Sequence, residues 1–470
     1  MSAPVISIAE MRAWEQATWA TGQTDAEVIR RVGTQVARVA RRLTRDGERI
    51  LILAGNGHNG DDARAAKEFL SDREVELIEL LVPDTDLLKV ETALREGPAL
   101  IIDGIFGIGL NRPLAESWQK IIAAVNAARI PVLAIDMPSG LNADTGESFG
   151  TAIEAAVTLT VGAPKTGLLA ASAAALVGRL EVADDVGLIP CPHESELNFT
   201  QSEDFGKFPP ARPVAGHKGS FGHAHIIAGS FGFHGAAVLA ARGAQRAQPG
   251  LVTVLTQEAV YVPVAAQLQS VMVNVWQPAA KWPESNSALL VGPGLAALEI
   301  ADQLRAPLRH WWRDYPHPLI VDASAFHMLA AEPFAKNFTR VLTPHPGEAA
   351  RLLNSTTPKV QADRVAALRG ISKKFGGCWV VLKGHQTLVG RCEGKIFINS
   401  SGNPHLAQGG SGDLLAGFIA GLLAQPALQS EAEETLRYAV WQHGAAADKL
   451  SAQRSNWTIE DLAEEIGNAR

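Results

Sequence analysis

Short apolar runs alternate with stretches of helical spacing along most of this chain, and polar or glycine-rich loops separate them. In the first half, apolar residues recurring every three or four positions predict a helix over 9–42. Residues 49–54, RILILA, suit a buried strand, and a glycine-rich loop and a helix to residue 70 follow. Strands are also predicted over 75–82, 99–103 and 130–136, with a helix over 114–128. In the second half the pattern predicts strands over 223–228, 251–255, 288–291, 319–321, 341–342 and 379–382. A glycine-rich turn at 229–235 leads into a helix over 236–247. Strands alternating with helices predict, in each half, a parallel sheet covered by helices on both faces, so the fold class is α/β with two three-layer domains. Residues 182–214 turn polar, carry Pro190, Pro192, Pro209, Pro210 and Pro213, and read as a linker. The expected domains are 1–205 and 206–470.

The densest chemistry lies in residues 403–423, NPHLAQGGSGDLLAGFIAGLL. Leu414, Leu415, Phe418, Ile419 and Leu422 share one helical face, so the loop at 409–413 sits at a helix N-terminus. Free backbone N–H groups and the positive end of the helix dipole favour an anion there. Glycines let the backbone approach a phosphate closely. Asp413 would repel a phosphate it faced; set to the side, it could take a proton from a hydroxyl. The loop then reads as a phosphoryl-transfer centre. The plainer reading is that Asp413 caps the helix.

Composition narrows the class. A chain of 470 residues, 47% of them hydrophobic, suits a globular enzyme of two or three domains. The net charge of −7 argues against nucleic acid as a partner. Cys191, Cys378 and Cys392 show no metal-ligand spacing. Residues 155–178 are apolar, but Pro164 and Lys165 make them a poor membrane span. A soluble cytoplasmic protein is expected, without membrane partners.

Three loops of the first half follow strand ends, where open α/β sheets bind ligands. Asn59, Asp103 and Ser139 could ligate a hard cation there, and Asp136 could serve as acid or base. Taken singly, Asp103 and Asp136 also fit polar strand stops, and Asn59 a turn. In the second half, GPG at 292–294, VDAS at 321–324, HPGE at 345–348 and KGHQT at 383–387 again follow strands. HPGE alone is also a plausible turn and helix cap.

Two ordered sets of motifs carry a resemblance. GNGHNGDD, DGIFGIGL, DMPSGLNADTG and GAPKTGLL resemble the epimerase half of the bifunctional NAD(P)H-hydrate repair enzymes. HKGSFG, GPG, VDAS, LTPHPGE, LKGHQT and NPHLAQGGSGD resemble the dehydratase half, which is similar to ribokinase-like kinases. The resemblance implies a Rossmann-like epimerase domain and a ribokinase-like dehydratase domain. It implies potassium ligands at Asn59, Asp103 and Ser139. It implies hydrate contacts at His58, Asn59, Gly60, Asp61, Asp62, Gly107, Ile108, Gly109, Leu110, Asn111, Arg112, Pro113 and Asp136, the last as acid/base. In the second domain it implies nucleotide contacts at Lys383, Gly384, His385, Gln386, Thr387 and Gly412. Ala236, Gly294, His345 and Asp413 would line the hydrate, with Asp413 as general base. The implied phosphoryl donor is ADP with magnesium, and the product is AMP and phosphate. The small-molecule partners are NADH and NADPH hydrates, and a homo-oligomer is expected.

The chain departs from the family pattern in its first loop, where His58 replaces an Asn, Asp61 a Gly and Ala63 a Gly. At an effective dielectric near 20, a carboxylate about 4 Å from a phosphate charge costs roughly 4 kcal/mol. Asp61 is therefore expected to turn away from the substrate, with epimerisation intact. Two rivals stand beside this reading. One is a ribokinase-like small-molecule kinase, whose product would be a stable phosphoester. The other is a non-catalytic binding or assembly role for the first domain.

Overall fold

A computed structural model describes residues 2–277, 287–296, 298–335 and 337–469. The chain divides into two compact units, Ala3–Glu196 and Leu197–Arg470. The first unit holds one parallel sheet. Its strands are β1 (Arg49–Ala54), β2 (Glu74–Glu79), β3 (Leu100–Gly104), β4 (Val132–Ile135), β5 (Val157–Val161) and β6 (Arg179–Ala183), in the spatial order β2-β1-β3-β4-β5-β6. Ile50, Ile52 and Ala54 of β1 enter the core on one face, and Leu51 and Leu53 enter the core on the other. Burial on both faces is why β1 reads as an unbroken apolar run and not as an alternating one. The unit also contains helices α1 (Ile8–Trp19), α2 (Asp25–Leu43), α3 (His58–Glu68), α4 (Pro83–Arg95) and α5 (Glu116–Ala127). The helix expected over 9–42 is two helices. Gly22 adopts φ +91°, and Thr24 restarts the chain with a capping box to Glu27. The strand expected to reach 82 ends at Glu79, because Asp86 accepts hydrogen bonds from the Leu81 and Val82 amides and Pro83 opens α4.

The second unit is built on a larger sheet. Its strands are β7 (Leu197–Thr200), β8 (His223–Ile227), β9 (Leu251–Thr256), β10 (Met272–Val275), β11 (Ala288–Val291), β12 (Leu319–Val321), β13 (Arg340–Leu342), β14 (Trp379–Leu382), β15 (Leu388–Gly390) and β16 (Ile396–Asn399). Their order is β7-β16-β15-β14-β13-β12-β11-β8-β9-β10. β15 alone runs antiparallel to both neighbours, β14 and β16. The stretch read as a linker is partly structured. It contains the end of β6, all of β7, and Phe205, whose ring packs on Tyr438 and Trp441 in the core of the second unit.

Five helices of this unit matter below: α6 (His234–Arg246), α7 (Pro346–Leu352), α8 (Arg364–Lys374), α9 (Ser411–Leu423) and α10 (Ala432–Gln453). α6 and α9 touch backbone to backbone. A Cβ on Gly417 would lie 1.9 Å from the Ala240 carbonyl oxygen, and one on Gly243 would lie 2.1 Å from that of Leu414. The contacts advance together, Gly410 beside Leu239 and Gly421 beside Ala244. The two helices therefore run parallel, and their N-termini arrive side by side.

Two candidate active sites

The first unit contains a cavity of about 570 Å³ at the C-terminal edge of its sheet. His58, Asn59, Asp62, Asp136 and residues 107–112 line it, together with Met11, Arg12 and Glu15 of α1. Gly60, Asp61 and Pro113 do not. Gly60 serves packing, since a Cβ there would lie 2.0 Å from the Gly55 carbonyl oxygen. Asp61 turns to Arg64, whose guanidinium donates to it at 2.9 Å and also holds Glu79 and the Gly55 carbonyl. Its charge is thus spent away from the cavity.

Asn59, Asp103 and Ser139 meet in one hydrogen-bonded cluster. The Ser139 hydroxyl donates to Asp103 Oδ1 at 2.6 Å, and the Ser139 amide donates to Oδ2 at 2.8 Å. The Phe106 amide donates to the Ser139 hydroxyl at 2.8 Å, and the Phe106 carbonyl accepts from Asn59 Nδ2 at 3.0 Å. Asp103 is fully buried, and burial pushes its pKa to about 6 despite these donors. Asn59 Oδ1 is buried and has no hydrogen-bond partner among the described residues. An unsatisfied amide oxygen, a buried carboxylate, a hydroxyl and a carbonyl form an all-oxygen donor set, which fits a hard cation. The Phe106 carbonyl was not legible beforehand, because any residue type can supply it.

Asp136 follows β4 with φ +62°, a left-handed conformation uncommon for a residue with a side chain. Its Oδ1 accepts from Lys165 Nζ at 2.5 Å and from the Val161 amide at 3.1 Å. Lys165 is fully buried and also donates to the Val161 carbonyl at 2.8 Å. Asp136 Oδ2 has no protein partner among the described residues, and Asp136 lines the cavity. Sequence reasoning missed Lys165 as a functional group; a lone lysine inside an apolar stretch was the available signal.

In the second unit the strand ends converge on the N-terminus of α9. Gly410 is its N-cap at φ +95°, and no side chain caps the helix. Asp413 is therefore not the cap that the plainer reading assigned. It is half-buried and has no hydrogen-bond or ion-pair partner among the described residues. Burial, then the nearby Asp322 carboxylate, raise its pKa to about 7, while Lys383 pulls the other way. Lys383, directly after β14, donates to Asp322 Oδ1 at 3.0 Å, and Thr343 after β13 donates to the same oxygen at 2.6 Å. Lys383 Nζ lies 3.0 Å from where a Cβ on Gly412 would stand, so only glycine lets the ammonium come this close to the helix N-terminus.

The other expected residues fall around this centre. Gly294, at φ +65°, abuts α6, and an added Cβ would lie 2.8 Å from Ala236 Cβ. His345 caps α7 through Nδ1, which accepts from the Gly347 amide at 3.0 Å, so HPGE is a helix cap as well as a candidate contact. Residues 383–387 form the turn of the β14–β15 hairpin, with Gln386 at φ +50°. Arg364 of α8, unmarked in the sequence, donates to the carbonyls of Leu382, Lys383 and His385. Burial lowers its pKa to about 10.

Comparison with known proteins agrees with both halves. A family model described as NAD(P)H-hydrate dehydratase matches residues 224–468, and one described as YjeF-related protein N-terminus matches residues 79–167. A bifunctional NAD(P)H-hydrate repair enzyme from Gloeobacter violaceus is 34% identical over 96% of this chain and 94% of its own. One from Escherichia coli is 32% identical over 92% of this chain and 86% of its own. A solved ribokinase-like superfamily protein from Enterococcus faecalis has a TM-score of 0.51 at 26% identity, covering 59% of this chain and 96% of its own. The chain belongs to the family of bifunctional NAD(P)H-hydrate repair enzymes.

Proposed function

We propose that this chain repairs hydrated NADH and NADPH. The first unit, expected within 1–205, interconverts the R and S hydrates. The second, expected within 206–470, returns the S form to NAD(P)H while ADP becomes AMP and phosphate. The observation that carries the second activity is Asp413, half-buried and unpaired among the described residues, beside Lys383 at a helix N-terminus without a side-chain cap.

The hydrate bears a hydroxyl on the carbon next to the ring nitrogen, and hydroxide leaves poorly. Asp413 takes the hydroxyl proton as the terminal phosphoryl group of ADP is transferred to that oxygen. Backbone N–H groups of 409–412 and the Lys383 ammonium stabilise the charge in flight. The ring nitrogen's lone pair then expels phosphate, and loss of the adjacent proton restores the dihydropyridine. Arg364 holds the 383–387 turn in the shape that receives the nucleotide. Magnesium would travel with the nucleotide, bound through its phosphates, and supplies charge neutralisation there.

In the first unit, Asp136 is the acid/base, with Lys165 as its buried counter-charge. Asn59, Asp103, Ser139 and the Phe106 carbonyl would hold potassium, which supplies a positive charge tying three strand-end loops together. Both activities belong in the cytoplasm, where the cofactors and ADP are pooled. The deciding experiment follows recovery of dihydronicotinamide absorbance from mixed hydrate epimers, with and without ADP. Full ADP-dependent recovery is expected. A stable phosphoester in place of free phosphate would overturn the dehydratase reading.

A further inference from the structure

Four carboxylates line the first-unit cavity: Glu15, Asp25, Asp62 and Asp136. Asp25 is exposed at the start of α2, and its Oδ1 accepts from the Ala26 amide at 2.9 Å. Asp136 is ion-paired to Lys165. Glu15 and Asp62 have neither an ion pair nor a hydrogen bond among the described residues. Asp62 is 8% exposed and sits in the second turn of α3. Glu15 comes from a different element, α1, and is only half-buried. Burial, then the Asp136 carboxylate, raise its pKa above its ordinary value.

Inverting a carbon that carries a hydroxyl beside a ring nitrogen takes proton transfers on two faces. An acid protonates the hydroxyl, the C–O bond breaks as water leaves, and the nitrogen lone pair forms an iminium ion. Water then adds from the other face. Its electron pair makes the new C–O bond, the nitrogen regains its pair, and a base takes the released proton. One side chain does not reach both faces of a ring held in place.

We propose that Glu15 is the second proton-transfer group of the epimerisation, acting from α1 while Asp136 acts from the end of β4. The proposal rests on reading the first unit as an epimerase. In one direction Glu15 gives the proton and Asp136 receives it; in the other the roles exchange. Between turnovers in the same direction, the protons re-equilibrate through solvent. Asp62 and Asp136 are each only 8% exposed, so of these three carboxylates Glu15 is the most open to that exchange.

The test uses the full chain without ADP, starting from each purified hydrate epimer, with interconversion followed by chromatography. In Glu15→Gln, kcat is expected to fall about 10²–10⁴-fold in both directions, with KM nearly unchanged. Glu15→Asp is expected to recover part of the loss, and melting curves matching wild type show that both variants fold. A Glu15→Gln chain with near-wild-type kcat, or one altered only in KM, overturns the assignment. So does loss confined to Asp62→Asn. A wild-type chain that does not speed the exchange overturns the epimerase reading itself, and the assignment of Glu15 with it.

Discussion

Burial shapes the charge state of the single side chains proposed to carry the chemistry in both units. Asp413 is held near neutrality because little water reaches it and Asp322 stands close. A general base must be ionised, so ADP-dependent dehydration is expected to climb about tenfold per pH unit below 7 and to level off above it. Asp413→Asn is expected to keep nucleotide binding and to lose roughly 10²–10⁴ in turnover, losing the rise near pH 7 as well. Lys165 illustrates the opposite case, a buried cation whose worth is its partner. Lys165→Met leaves the Asp136 carboxylate buried and uncompensated, and chemical denaturation is expected to show a loss of about 3–5 kcal/mol alongside lost epimerisation.

The elements hold these groups by close backbone contact. α6 and α9 meet where glycine replaces any side chain, which fixes the N-terminus of α9 against the sheet. Gly417→Val would drive a side chain into the Ala240 carbonyl. It is expected to destabilise the second unit by more than about 1–3 kcal/mol, the usual cost of overpacking, read from its denaturation midpoint. This level also marks how far the sequence could be read. β1, β3, β11 and β14 were legible because strands buried on both faces are continuous apolar runs. β5, β6, β7, β10, β15 and β16 were not. β7 is four residues of mixed character beside prolines, and β15 and β16 lie between chemistry-bearing loops that drew the reading elsewhere. The oxygens Asn59, Asp103 and Ser139 could be listed from strand-end positions, and the sheet does gather them. Lys165 left only a weak signal, a lone lysine in an apolar stretch, and the Phe106 carbonyl, Arg364 and Glu15 left none, since their placement depends on which surfaces fold together.

Across the whole molecule, each unit has its own sheet, core and site, so the two activities are expected to fail separately. With mixed epimers and ADP, Asp136→Asn should recover the S fraction at the wild-type rate and the R fraction only at the rate of spontaneous exchange, a biphasic trace. A single phase at the wild-type rate would remove Asp136 from the chemistry. The Asn59 oxygen, without a partner among the described residues, has a consequence of another kind. An unmet buried acceptor is a standing deficit of about 1–3 kcal/mol in the folded first unit, and whatever meets it there and not in the unfolded chain acts as a folding ligand. Scanning calorimetry should therefore resolve two transitions with different ligands. Potassium is expected to raise one, by an amount that grows with the logarithm of its concentration, and ADP with magnesium to raise the other.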